Sequence, residues 1–251
     1  MARMVNIVMY EQKPDLRDPV LIEGLPGVGN VGKIAADYLA EKLNAEKFAE
    51  IYSRYFPPHV TLGDDCVAHL ACNELHYVKG AGDRDIIFLL GNHQGITAEG
   101  QFDLAEEIVN IAGSFNVSEI FTLGGYGIGT VVEEPKVLGA VSSASMKHEL
   151  EKHGVTFIPG EPSAGIAGAS GLILGLSRVK GMNAACLMGE TSGYFIDPKS
   201  SGVLLKVLMS ILDLYVNTDE LDERSKQMDE FNSKIKEMTE DQSRGHLGYI
   251  G

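Results

Sequence analysis

Gly27, Gly29 and Gly32, in the segment Gly24-Leu25-Pro26-Gly27-Val28-Gly29-Asn30-Val31-Gly32-Lys33-Ile34, satisfy G-x-G-x-x-G, the spacing at which a strand-to-helix turn cradles a pyrophosphate on backbone amides. Dinucleotide binding of this kind also needs an Asp or Glu at the end of the next strand, about twenty residues on, to hold the ribose hydroxyls. That strand, read over 48–53, ends in Ser53-Arg54, and its carboxylate Glu50 lies inside it. Gly27, Gly32 and Lys33 also approach a Walker A loop, but Ile34 stands where a Ser or Thr would hold magnesium. Each nucleotide motif therefore lacks its specifying residue. Two uses of the glycines remain: a tight turn that packs helix on sheet, or an anion held at the amides of the helix N-terminus.

Further candidates follow later apolar runs. Gly91-Asn92-His93-Gln94-Gly95, with Glu99 beyond, supplies an imidazole and a carboxylate of the kind used for general acid–base work, although Glu99 can equally serve the helix it opens. Tyr126 in Gly124-Gly125-Tyr126-Gly127 and Glu190 in Gly189-Glu190-Thr191-Ser192-Gly193 would face the same crevice at the carboxyl ends of the strands. The candidate crevice set is thus Gly27, Gly29, Asn30, Gly32, His93, Glu99, Tyr126 and Glu190. No G-x-S-x-G elbow supports a nucleophilic serine, and the seven histidines form no H-E-x-x-H. Neither a metal nor a cofactor is expected.

Positioning these loops is the work of four apolar runs, Val20–Ile22, Ile86–Leu90, Ile120–Leu123 and Ala184–Met188. Unbroken apolarity over a few residues reads as a strand covered on both faces. Helical spacing appears in Val31, Ile34, Ala35 and Tyr38, in Phe102, Ala105, Ile108, Val109 and Ala112, and in Val203, Val207, Leu208, Ile211 and Leu212. Strands alternating with helices predict an α/β sandwich around a mainly parallel sheet. Pro57-Pro58, the Gly63-Asp64-Asp65 turn and alternating Val67, His69 and Ala71 predict an antiparallel hairpin inserted near 54–80 at a sheet edge. The organisation expected is one core domain over 1–216 and a C-terminal helix and tail over 217–251. In the latter, Leu221, Met228, Phe231, Ile235 and Met238 keep heptad spacing, interrupted by Arg224. That helix reads equally as packed on its own domain or as an oligomer contact.

Charge narrows the partners. Twenty-one Lys and Arg against 35 Asp and Glu give a net −14 with no basic run, so nucleic acid is not an expected partner. No apolar stretch is long enough for a membrane span, and the first twenty residues fit no targeting peptide, so a cytoplasmic protein is expected. Cys66, Cys72 and Cys186, odd in number and without a C-x-x-C pair, read as free thiols.

Five ordered blocks carry a resemblance: the Gly24–Gly32 segment, Tyr55-Phe56-Pro57-Pro58, Thr122-Leu123-Gly124-Gly125-Tyr126-Gly127, Gly168-Ala169-Ser170-Gly171-Leu172 and Leu187-Met188-Gly189-Glu190-Thr191-Ser192-Gly193. Together they resemble the archaeal members of the proteasome assembly chaperone two family, also described as ATP-grasp-like. The resemblance implies a three-layer α/β/α sandwich similar to the purine nucleoside phosphorylase-like fold, a homo-oligomer, and binding of proteasome α-subunits. It also implies docking through a C-terminal hydrophobic-tyrosine-any-residue motif, here carried by Leu247, Tyr249, Ile250 and Gly251. The register departs from that motif, since Tyr249 is third from the end and Gly248 takes the hydrophobic place. The leading expectation is a non-catalytic chaperone or adaptor. The alternative is an enzyme or a nucleoside- or phosphate-binding protein that uses the crevice.

Overall fold

The computed structural model describes the backbone of residues 5–9 and the whole of residues 13–227. In chain order the elements are β1 (Val5–Met9), β2 (Val20–Gly24), α1 (Val31–Lys42), β3 (Glu46–Ser53), β4 (Val60–Leu62), β5 (Ala68–Leu70), β6 (Cys72–Ala81), β7 (Arg84–Gly91), α2 (Ala98–Ser114), β8 (Glu119–Gly127), β9 (Val137–Val141), α3 (Ala144–Lys152), β10 (Val155–Thr156), α4 (Gly168–Val179), β11 (Asn183–Thr191) and α5 (Pro198–Leu212). The chain is helical again over 219–227.

Nine strands form one mixed sheet in the order β1-β3-β6-β7-β2-β8-β11-β9-β10. Its centre, β7-β2-β8-β11, is parallel, in the register Leu21↔Ile87, Leu21↔Ile120 and Ala185↔Phe121. These are the four unbroken apolar runs, and their residues part alternately to two cores because side chains along a strand point to opposite faces. Val20, Ile22, Phe88, Phe121 and Leu187 pack with Ala35 and Leu39 of α1 and Leu204 and Leu208 of α5. Leu21, Ile87, Leu89 and Ile120 pack instead with Leu104, Ile108 and Val109 of α2 and Ile173 of α4.

Two helix faces differ from the spacing expected. Phe102 is exposed and Leu104 and Ile111 take core positions of α2, while α5 buries Leu204, Leu205, Leu208 and Met209 and leaves Val203 and Val207 half-covered. In both helices the apolar stripe is wider than one spacing, and packing selects its fully apolar flank. Capping fixes the starts. Thr97 Oγ1 accepts from Gly100 N at 3.0 Å ahead of α2, and Asp197 Oδ1 accepts from Ser200 N at 2.9 Å ahead of α5, with Pro198 at its first position. Gly175, inside α4, has open space where a Cβ would stand. Gly175→Ala should therefore raise stability by about 0.5–1 kcal/mol, read as an upward shift of the urea midpoint.

The hairpin expected at a sheet edge resolves differently. β4 and β5 pair only with each other, in the register Thr61↔His69, while β6 lies inside the sheet between β3 and β7. The connection from β3 to β6 thus forms a two-stranded ribbon of its own before the chain returns to an interior position of the large sheet. At the other end, Leu221 of the 219–227 helix is fully buried in the α1–α5 core, Glu220 meets Lys42 at 2.7 Å and Asp222 reaches Lys206. The first residue of the heptad series therefore faces its own domain. Met228, Phe231, Ile235 and Met238 lie outside the described residues.

Candidate functional site

The Gly24–Gly32 turn leaves β2 and enters α1 through one turn of 3-10 helix over 28–30, with Gly29 at φ +61° and Asn30 at φ +50°. Gly29 meets that left-handed demand without strain. The other glycines serve close approach. A Cβ on Gly32 would strike the Leu123 carbonyl, one on Gly24 would strike Ala36, and one on Gly125 would strike the Val28 carbonyl. Asp197 N donates to Gly29 O at 2.9 Å, which joins the turn to the start of α5. Around this turn the ends of β8 and β11 pack closely on Gly32, Gly29 and the Val28 carbonyl, while the space beside Gly27 is open. Lys33, the lysine of the near-Walker motif, is engaged with Asp37 one turn along α1 at 2.7 Å.

The remaining crevice candidates divide. Tyr126 and Glu190 are neighbours in register on β8 and β11, beside the glycine turn. The Tyr126 hydroxyl donates to Glu161 at 3.0 Å, and that bond raises its pKa above the usual phenolic value. Glu190 accepts from the Lys136 amide at 3.1 Å. His93 stands elsewhere, edge-on to His59 with ring centres 5.6 Å apart and near Phe56. Glu99 occupies the first turn of α2, where the helix dipole favours a carboxylate, and the cap itself is Thr97. No hydrogen bond or ion pair joins His93 to Glu99 among the described residues. The structure thus shows no direct contact between the imidazole and the carboxylate.

Two residues outside the candidate crevice set tie the loops together. Gln94 donates to Pro26 O at 2.6 Å and accepts from Ala169 N at 3.0 Å, bridging the glycine turn to the start of α4. Glu23 is fully buried at the end of β2, accepting from Leu25 N at 3.0 Å and from Ser170 Oγ at 2.9 Å. Burial raises its carboxyl to about 7, against the opposing pull of those hydrogen bonds. Nearby, burial pushes the Cys186 thiol up to about 12, which makes it an inert core thiol. Cys66 and Cys72 are likewise unpaired. The signal for Glu23 is a single acid closing an apolar strand just before the glycine turn.

A groove of about 550 Å³ opens between α1, β3, β6 and the ribbon, and His93, Glu50, Cys72, Glu74 and His76 line it. Glu50 and Glu74 face each other across β3 and β6, and with Cys72 they offer ligand atoms within 4.8 Å of one another. Lys47 Nζ lies 2.9 Å from an oxygen of each carboxylate, so an ammonium already bridges the pair. The His76 hydrogen bond, with help from Lys47, holds the Glu74 carboxyl down at about 2 against the effect of partial burial. The set behaves as an ion-pair network. The tail residues Leu247, Tyr249, Ile250 and Gly251 lie outside the described residues. No described helix is long and apolar enough to cross a membrane.

This chain is similar to an uncharacterized protein of Methanocaldococcus jannaschii, with 38% identity over 262 residues and all of both chains covered. Among solved structures it is similar to PbaB of Pyrococcus furiosus, an archaeal proteasome activator, at 37% identity and a TM-score of 0.86, covering 93% of this chain and 99% of that one. It is also similar to PbaA of the same organism, an archaeal homolog of proteasome-assembly chaperone, at 28% identity and a TM-score of 0.77, covering 97% and 96%. The five sequence blocks fall within residues 21–236, the stretch that the PAC2 family model matches, and the chain belongs to the PAC2 family.

Proposed function

We propose that this protein is a proteasome assembly chaperone or adaptor, a homo-oligomeric and non-catalytic binding protein that engages proteasome α-subunits. The observation that carries the reading is the similarity to PbaB along nearly the whole of both chains, at 37% identity. The glycine turn is compatible with it, since close packing of α1 on β8 accounts for Gly24 and Gly32 without a ligand. The two cores, with α1 and α5 on one side of the sheet and α2 and α4 on the other, support a three-layer α/β/α sandwich similar to the purine nucleoside phosphorylase-like fold. On this reading residues 1–216 are the core domain. Residues 217–251 are a helix and a binding tail, with Leu247, Tyr249, Ile250 and Gly251 making the contact.

Deletion of residues 249–251 is the test. It removes the aromatic anchor, and an anchor of that kind is worth about 2 kcal/mol, so affinity for α-subunits should fall by about tenfold or more. Co-purification and binding curves with and without the three residues measure this. Equal recovery of α-subunits by the shortened chain refutes the tail as the contact, and failure of the full chain to bind any α-subunit refutes the function.

A further inference from the structure

Tyr194, Phe195 and Ile196 follow one another on the loop from β11 to α5 and are 74%, 56% and 52% exposed. Three consecutive large apolar side chains facing water are costly to solubility and call for a use. They are not alone. Val28, Ile128 and Val131 are exposed on the two adjoining loops. A Cβ on Gly193 would lie 3.4 Å from Gly127 Cα and 3.5 Å from Val28 Cγ1, and one on Gly129 would lie 3.9 Å from the Tyr194 hydroxyl. Ile128 N also donates to Thr191 O at 2.9 Å. The loops therefore stand side by side, and six large apolar side chains are exposed along them. The aromatic run is held at both ends: Thr191 Oγ1 donates to Asp197 at 2.7 Å, and Asp197 caps α5. Large aromatics on a fixed frame are the usual anchors of protein recognition.

The rim decides between occupants. Exposed Glu133 and Glu134 follow Val131 on its loop, and Glu161 and Glu190 flank Tyr126 just before Gly127, against Lys136 and Lys199. A second copy placed on this face would bring the same four carboxylates against these, in a chain already at −14. A basic partner meets no such repulsion. We propose that this face docks a protein partner that offers an apolar pocket flanked by lysine and arginine side chains. The proposal rests on the reading above in taking that partner to be a proteasome α-subunit, and it assigns the subunit a contact separate from the tail.

The experiment measures binding of cognate α-subunits to the full chain, to the chain lacking residues 249–251, and to Phe195→Asp and Val131→Asp in both backgrounds. Both substitutions should weaken binding about tenfold or more, in the shortened chain as in the full one, and added salt should weaken the unmodified chain. Val131 is 83% exposed, so its substitution reports on the face even where Phe195→Asp disturbs folding. Unchanged binding by Val131→Asp, beside a full chain that binds, overturns the docking face and leaves the function standing. Dissociation of a homo-oligomer by either variant with α-subunit affinity unchanged also overturns it, because the face is then a self-contact. A full chain that binds no α-subunit ends both proposals.

Discussion

Gly32→Ala is expected to destabilise the protein by about 3 kcal/mol or more, while Gly27→Ala changes stability by less than about 0.5 kcal/mol. Both glycines belong to the same motif, but the packing around them weighs on them unequally. A Cβ at position 32 would overlap the Leu123 carbonyl and come within 2.6 Å of the Gly124 amide, both main chain of β8 at the centre of the sheet. Backbone in a central strand cannot rotate away as a side chain can, so the start of α1 must lift. Gly27 has nothing within 4 Å of its notional Cβ and an extended backbone at φ −158°, which alanine adopts freely. Urea unfolding of the two variants measures the difference. Equal effects at both positions would rule out close packing as the reason for the motif.

Glu23→Gln should change how stability depends on pH. An ordinary glutamate titrates near 4.5, and burial holds this one at about 7. Below pH 4.5 the folded and unfolded chains both carry the proton. Between 4.5 and about 7 the folded chain binds the proton more tightly, so its contribution to stability falls as pH rises through that window, by up to about 3 kcal/mol in all. Above 7 the cost of a buried carboxylate is complete. The amide introduced by the substitution carries no charge, keeps an oxygen for Leu25 N and can donate to Ser170 Oγ. The variant should therefore gain on the native chain as pH rises from 5 to 8 and be the more stable of the two at pH 8. Paired melting curves across that range read the difference, which also removes the background from other titrating groups. A gap between the two proteins that stays constant from pH 5 to 8 would show that Glu23 is not desolvated.

The four central strands are legible because a strand covered on both faces must be apolar at every position, and Val20–Ile22 or Ile86–Leu90 can be little else. α3 carries a thin signal by comparison, since Met146 and Leu150 are its buried side chains and the rest of its surface is polar. The ribbon of β4 and β5 is readable as a hairpin from its turn residues, yet nothing local says that β6 re-enters between β3 and β7. That placement depends on long-range pairing such as Leu75↔Leu89. The glycine motif shows its spacing in the sequence, but its meaning comes from Leu123 and Val28, which the fold presses against it. Glu23 looks like the polar end of a strand until Ser170, 147 positions away, closes over it. His93 and Glu99, close in sequence, are parted by the turn into α2.

The anchoring of the 219–227 helix limits what the last residues can reach. Leu221 enters the core and Glu220 meets Lys42, so the 219–227 helix is held at a fixed place on the domain. Twenty-four residues follow, and whatever path they take, Gly251 lies within about 80 Å of that point. If the loop face and the tail both bind as proposed, engaging one fixes the effective concentration of the other by geometry instead of by the amount of protein in solution. On the same proposal, changing the number of residues between 228 and 246 should change the avidity for α-subunits while the affinity of the loop face alone stays the same.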